Sequence, residues 1–106
     1  MSLETRDAES EPPSTIGRME SKIVRTIYLT GKDAALASPQ GTGNISNSEL
    51  DHLETVTICI VVMQNGFTVI GKAVPGSIRH FDATMGRKYA YENAIRQLLK
   101  LESRAF

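Results

Sequence analysis

The 106-residue sequence contains one cysteine, no tryptophan, three tyrosines and three phenylalanines. The single cysteine excludes an intramolecular disulfide and a zinc site built from several thiolates of one chain. Cys59 lies inside an apolar run, so we expect a small buried hydrophobe. No apolar run approaches the roughly 20 residues of a membrane span, and the acidic, polar start does not resemble a signal peptide. We therefore expect a soluble protein in a reducing cytoplasm.

The formal net charge is zero, because 12 Lys and Arg residues balance 12 Asp and Glu residues. The chain therefore has no bulk electrostatic attraction to nucleic acid or to a membrane surface. The charge is uneven, however: residues 1–63 carry five basic and nine acidic side chains, and residues 64–106 carry seven basic and three acidic ones. The basic half is either a solvated surface or a surface for an anionic partner.

The residue patterns of known catalytic sites are not found. His52 and His80 lack the spacing of metal ligands. His80 and Asp82 could orient each other, but no serine or cysteine stands beside them in a nucleophile elbow. No pair of acidic residues stands out. The sequence therefore predicts a protein that is not an enzyme and has neither metal nor cofactor.

Residues 1–14 are charged and include two prolines, which predicts a disordered or loosely held arm before a single domain over residues 15–106. A short N-terminal helix is expected next, because apolar residues recur at helical spacing from Ile16 to Ile27. The β-branched run from Ile23 to Thr30 competes with this pattern, so the end of the segment can be extended instead.

Residues 32–47 are rich in glycine and small polar residues and predict a long loop. A short turn of helix can follow at residues 48–53. The next segment, Thr55 to Met63, is apolar in both alternating sets, which predicts a strand covered on both faces. Asn65-Gly66 predicts a type I′ hairpin turn, and residues 67–74 form the returning strand. Gly71 within that strand indicates a bulge or a close backbone approach.

The longest segment with a single period runs from Phe81 to Glu102 and predicts a helix with Asp82 as its N-cap. One side is lined mainly by small residues that allow close packing on a sheet: Gly86, Ala90, Ala94, Leu98 and Leu101. A second apolar stripe, with Met85, Tyr89, Ile95 and Leu99, predicts a helix covered on both sides or facing another chain. The fold class is therefore α+β, a small antiparallel β-sheet with a long C-terminal helix and a short N-terminal helix. The second stripe also predicts at least a dimer.

Two stretches together resemble a family of small phage proteins. They are NGFTV at residues 65–69 and FDA-x-x-GRK-x-A-YENAI at residues 81–95. The family is named after the gene 49 product of one phage and the gene 66 product of another. The resemblance covers about residues 16–106. Leu99-Lys100 and Ser103-Arg104 depart from the family's usual Trp-Pro and Gly-aromatic pairs.

This family is similar to the first class of Thoeris anti-defence proteins, and the similarity implies a function. Those proteins bind a cyclic ADP-ribose immune signal and sequester it without cleaving it. Some bind cyclic oligonucleotides, and they assemble as dimers or hexamers. The resemblance implies a homo-oligomeric sponge for a cyclic nucleotide or cyclic ADP-ribose signal in the cytoplasm of the bacterial host, with no membrane or nucleic-acid partner.

Six residues form the candidate ligand-binding set: Arg79, Phe81, Arg87, Tyr91, Asn93 and Arg104. Phe81 could stack on a base, Asn93 could read an adenine edge, and the arginines could hold phosphates. Structural roles are also open, because Phe81 can staple the helix start and Asn93 can be solvated or bond across an interface. A cation at position 87 is disfavoured by the helix dipole, which indicates an anionic partner.

Two other classes of function stay open. The basic start of the Ala-rich helix superficially resembles the last helix of double-stranded-RNA-binding domains, although only Arg87 and Lys88 are present there. Alternatively, the second apolar stripe is the contact surface of an inhibitor that binds a host protein.

Overall fold

The computed structural model describes residues 15–38, 43–77, 79 and 81–105, with Thr15 and residues 102–105 described by their backbone. The elements in chain order are α1 (Thr15–Glu20), β1 (Ile23–Thr30), α2 (Gly31–Ala37), α3 (Asn47–Glu54), β2 (Thr57–Met63), β3 (Thr68–Ala73) and α4 (Ala83–Ala105). The predicted α+β class, with its antiparallel sheet, short N-terminal helix and long C-terminal helix, is confirmed. The arm predicted over residues 1–14 lies outside the described residues.

The three strands form an antiparallel meander in the order β1-β2-β3. The β-branched run from Ile23 to Thr30 is a full strand, so the N-terminal helix ends at Glu20. Strand propensity prevails here because every residue of this run except Val24 pairs with the apolar central strand β2. Cross-strand partners include Ile27 with Ile60, and Ile60 with Ile70 on β3.

One face of the sheet carries the core. Alternate residues of β2, from Thr57 to Met63, are buried, and they pack with the buried face of α4 that includes Ala90, Ala94 and Leu98. Cys59 is fully buried and free, as the sequence predicts.

The close approach predicted at Gly71 is confirmed. A Cβ atom on Gly71 would lie 2.1 Å from the carbonyl oxygen of Ala90 and 2.5 Å from the amide nitrogen of Ala94. Only a residue without a side chain lets β3 and α4 come this close.

The opposite face of the sheet is apolar and has no helix on it within the described residues. Ile27, Ile60 and Ile70 form a row across the three strands, and Ile27 and Ile70 are 44% and 57% exposed. The prediction that β2 is covered on both faces is therefore wrong for the described part of the chain. Both faces of β2 are apolar, as the sequence predicts, but α4 covers just one of them.

The hairpin between β2 and β3 has a three-residue loop rather than the predicted type I′ turn. The amide of Met63 donates to the carbonyl of Phe67, and the amide of Gly66 donates back to the carbonyl of Met63. Gly66 has a φ of 86°, whereas every described non-glycine residue has negative φ. Asn65 therefore lacks the positive φ that a type I′ turn requires. Instead its side-chain oxygen accepts the amide of Phe67.

The predicted loop over residues 32–47 is wrong for its first part, which forms α2. Thr30 and Asp33 build a capping box at the helix start, with both hydrogen bonds at 3.0 Å. Two reciprocal bonds satisfy the first amides and outweigh the small polar composition of the segment. The predicted turn of helix at residues 48–53 is confirmed as α3, which begins with its own capping box from Ser46 and Glu49.

The predicted cap of the long helix is confirmed, because the Asp82 carboxylate accepts the amides of Thr84 at 2.9 Å and Met85 at 3.2 Å. The second apolar stripe is split between two surroundings. Ile95 is buried and Leu99 packs against the core, and both border α1. Part of the stripe that predicted an oligomer is thus covered by α1 of the same chain.

Candidate functional site

A cleft of about 510 Å³, here called the main groove, lies between β3 and the first half of α4. The helix lines it with side chains three or four residues apart, which share one face: Met85, Tyr89, Glu92 and Arg96. The opposite wall is formed by Lys72, Ala73, Val74 and Pro75. The volume suits a small-molecule ligand, since such sites span roughly 300–1,000 Å³. The lining combines aromatic and apolar surface with two basic residues, Lys72 and Arg96, and two acidic ones, Asp82 and Glu92.

Phe81 stands at the end of the main groove and borders two further clefts. Its ring lies over Gly86, where an added Cβ would be 3.5 Å from the Phe81 ring and 2.6 Å from the Thr57 hydroxyl. Phe81 is therefore the apolar residue before the N-cap, and its ring packs over the fourth helical position, although Gly86 has no side chain to complete a hydrophobic staple. The ring is half-buried, so it holds the helix start and still offers surface to a ligand.

On its other side Phe81 borders a smaller cleft of about 180 Å³, here called the Arg87 groove, which also contains Tyr28 and Asp33. Arg87 is exposed, and its nearest side-chain hydrogen bond is a long one of 3.4 Å to the Thr84 hydroxyl. This weak contact leaves the guanidinium able to bind a ligand oxygen. Burial raises the pKa of the Tyr28 hydroxyl, and the charge of Arg87 partly offsets that rise.

Tyr91 lies away from Phe81, in a third cleft of about 410 Å³ between α1 and α4. Its hydroxyl donates to the Glu20 carboxylate. Burial raises the pKa of Tyr91 well above its usual value, and the bond to Glu20 raises it further. The contact ties α1 to α4, and a role of Tyr91 in ligand binding stays a prediction.

Asn93 is engaged with the outer edge of β3. Its side-chain oxygen accepts the backbone amide of Lys72 at 3.0 Å and the side-chain amide of Gln97 at 3.2 Å. Gln97 in turn donates to the carbonyl of Ile70 at 2.7 Å. These bonds give Asn93 a structural role, and its reading of an adenine edge also stays a prediction.

Two arginines of the predicted ligand-binding set remain, Arg79 and Arg104. Arg79 is exposed two positions before Phe81, and its backbone amide donates to the Ser77 hydroxyl at 3.2 Å. The side chain of Arg104 lies outside the described residues, as does His80. The structure thus brings Phe81 and Arg87 together and separates them from Tyr91 and Asn93.

Sequence reasoning did not assign a ligand role to Lys72, Tyr89 or Arg96, which line the main groove. A signal for two of them exists. Tyr89 follows Met85 by four residues and Arg96 follows Tyr89 by seven, so both lie along the second apolar stripe. Tyr89 is 51% exposed, so this part of the stripe forms a groove wall instead of a core surface.

No group of three or more His, Cys, Asp and Glu residues in the described ranges could hold a metal ion. Among the helices described, none has both the length and the apolar character needed to cross a membrane.

Comparison with known proteins identifies a family. The model of a phage protein family, described as N4 Gp49/phage Sf6 gene 66, matches residues 15–104. No curated protein and no solved structure matches the chain.

Proposed function

We propose that this chain, which belongs to that phage protein family, is an anti-defence protein that sequesters a cyclic nucleotide immune signal. The signal is a cyclic ADP-ribose derivative or a cyclic oligonucleotide, and the protein releases it unchanged. The observation that supports the proposal most is the position of Phe81, an aromatic ring between two clefts that each contain a cation. A nucleotide presents the matching chemistry, a flat base beside anionic phosphates.

The base stacks on Phe81. The ring is half-buried, and its seat over Gly86 fixes its orientation before the ligand arrives. A pre-oriented ring loses little conformational entropy on binding. Tyr89, farther along the main groove, offers a second aromatic surface.

The phosphates are held by cations on both sides of Phe81. Arg96 lines the main groove from α4, and Arg87 lines the smaller one. Lys72 borders the main groove from β3, where strand alternation sets it on the same face as Ile70. Charge-assisted hydrogen bonds to phosphate are about twice as strong as neutral ones. Arg79 stands two positions before Phe81 and can extend this set.

Two carboxylates in the main groove limit its affinity for an anion. Asp82 is largely compensated, because it accepts two amides at the start of α4. Glu92 stands one helical turn before Arg96 and lines the same cleft. Its charge lowers the affinity for phosphate and favours ligands that place few phosphate oxygens at that end of the groove.

The protein works as a homo-oligomer, at least a dimer, in the cytoplasm of the infected bacterium. A domain of this size buries a smaller fraction of its surface than a large domain does, and association supplies additional burial. In the row across the open face, Ile27 and Ile70 are exposed and Ile60 between them is half-buried, so the described part of one chain leaves apolar surface uncovered there.

The binding experiment is calorimetry of the purified protein with cyclic dinucleotides, cyclic trinucleotides and isomers of cyclic ADP-ribose. For the ligand that binds, Phe81→Ala and Arg96→Ala should each weaken binding by roughly 1–3 kcal/mol. Glu92→Gln is the matched variant from the same turn of α4, and it should strengthen binding. If neither Arg96→Ala nor Glu92→Gln changes the affinity, the main groove is not the site.

The exposed isoleucine row favours a second candidate, an inhibitor that binds a host protein through the open sheet face. Ile70→Lys separates the two functions. It places a charge on that face, far from Phe81, and so should leave nucleotide binding unchanged. Loss of anti-defence activity with intact nucleotide binding would establish the second function.

A further inference from the structure

The two outer edges of the sheet differ. The bond from the Gly31 amide to the Val56 carbonyl sets the alternation of the β1–β2 ladder. In an antiparallel ladder every second residue turns its amide and carbonyl away from the partner strand. On β1 the residues that point outward are Thr26, Tyr28 and Thr30. The bond from the Met63 amide to the Phe67 carbonyl sets the alternation of the β2–β3 ladder in the same way. On β3 the residues whose backbone amide and carbonyl point outward are Thr68, Ile70 and Lys72.

The β3 edge is closed by side chains of α4. Asn93 accepts from the Lys72 amide and Gln97 donates to the Ile70 carbonyl, so two helical residues replace the next strand. On β1 the Thr30 amide is taken by Asp33. The outward backbone groups of Thr26 and Tyr28 have no hydrogen-bond partner among the described residues. Open edges of this kind pair readily with another strand.

We propose that β1 is the edge at which a second copy of this chain pairs, antiparallel, to make one continuous six-stranded sheet. This edge is the contact surface of the oligomer proposed above, and pairing there does not require a ligand. A two-fold axis through Ile27, perpendicular to the sheet, makes the contact self-complementary.

The register follows from the strand itself. Centring on Ile27 sets Thr26 against the partner's Tyr28, so the two fully open residues bond each other in both directions. If the two-fold axis passed through a neighbouring residue of β1, the central hydrogen bonds would involve Val24 or Thr30. The β1–β2 ladder shifts its register at Val24, and the Thr30 amide is already bonded. The Ile27 register places Val24 and Thr30 at the two ends of the contact, so its four central hydrogen bonds, between Thr26 and Tyr28 of the two copies, use regular, open positions.

Side chains agree with this register. Ile27 meets the partner's Ile27 on the open face, which joins the two isoleucine rows into one. Arg25, the one charged residue of β1, faces the partner's Leu29, so no like charges are opposed. On the helix side, Tyr28 of each copy belongs to the Arg87 groove, so both Arg87 grooves lie on the same side of the joined sheet.

The first test compares two proline variants by sedimentation equilibrium without ligand. Thr26→Pro removes an outward amide of β1, and Thr68→Pro removes an outward amide of β3 at the first residue of that strand. Proline is tolerated at such edge positions but cannot donate to a neighbouring strand. We expect the native chain and Thr68→Pro to be dimers or larger, and Thr26→Pro to raise the dissociation constant by about tenfold or more. A monomeric native chain would overturn this inference together with the proposed assembly.

The second test does not depend on tolerance of proline. Partners in a non-hydrogen-bonded antiparallel pair have Cα atoms about 4.5 Å apart, within the range of a disulfide. Ile27→Cys should therefore form a disulfide dimer on mild oxidation. Ile70→Cys is the control, because it is more exposed and lies on the same face. Equal cross-linking of the two variants, or faster cross-linking of Ile70→Cys, would place the contact elsewhere and leave the ligand proposal untouched.

Discussion

Asn93 on the long helix accepts the backbone amide of Lys72 on the edge strand at 3.0 Å, although the two residues are 21 positions apart in sequence. The bond fixes the helix to the strand on the side where both also form the main groove. Asn93 therefore supports the groove by positioning Lys72, whatever its contact with a ligand.

Removing that side chain should loosen the edge strand. Asn93→Ala leaves the Lys72 amide without its partner, and we expect a loss of about 1 kcal/mol in the free energy of unfolding. Hydrogen exchange should become faster at the Lys72 amide. Lys88→Ala, an exposed substitution on the same helix, is the control and should change neither quantity. Unchanged protection of Lys72 in Asn93→Ala would show that the bond does not hold the edge.

Gly71→Ala tests the close packing of β3 on α4. The added methyl would overlap the helix backbone at Ala90 and Ala94, and backbone cannot move aside as a side chain can. We expect a loss of about 3 kcal/mol in urea denaturation. Gly76→Ala adds a methyl with no atom within 4 Å and should be nearly neutral. Equal stability of the two variants would contradict the packing.

Gly66→Val tests the hairpin loop. Gly66 has open space around it but a φ of 86°, so the expected cost of about 1–2 kcal/mol comes from backbone conformation alone. Asparagine tolerates this region better than other residues, so Gly66→Asn should recover most of the loss. A melting temperature of Gly66→Val equal to that of the native chain would show that the loop does not need positive φ.

The contact between Tyr91 and Glu20 should make stability depend on alkaline pH. Burial, and then the hydrogen bond to Glu20, raise the pKa of Tyr91 in the folded state above its usual value of 10.0. Above that value the unfolded tyrosine releases its proton and the folded one keeps it, so stability is present below pH 10 and falls as pH rises further. Tyr91→Phe should lose less stability than the native chain between pH 9 and pH 11. Parallel melting curves of the two proteins across this range would contradict the coupling.

Much of the fold could be predicted from local pattern. The β-branched, apolar run from Thr57 to Met63 and the helix after Asp82, with its cap and its face of small residues, depend mainly on local propensity and burial. Both form as the sequence predicts. The loop prediction is wrong for residues 32–37 because one of the two residues of the capping box that starts α2, Thr30, is also the last residue of β1. A capping box is visible in sequence only after the helix start has been located.

The candidate site was harder to predict because it depends on contacts between distant segments. Phe81 and Arg87 are close in sequence and lie together. The sequence alone does not show that β3 supplies Lys72 to the groove, or that Asn93 turns toward the strand edge. Tyr91 belongs to the same helix motif, but because each residue turns the helix by about 100°, its side chain lies on another side of α4, beside α1.

The most direct test of the sponge function is recovery of the ligand after denaturation. The protein is mixed with the cyclic nucleotide identified by calorimetry, the free ligand is measured, the protein is then denatured by heat, and the supernatant is analysed by chromatography. We predict depletion before heating and full recovery of unmodified ligand afterwards, with little depletion by Phe81→Ala. Recovery of a linearised product would mean that the protein is an enzyme, and no depletion with any cyclic dinucleotide, cyclic trinucleotide or cyclic ADP-ribose isomer would contradict the proposed function.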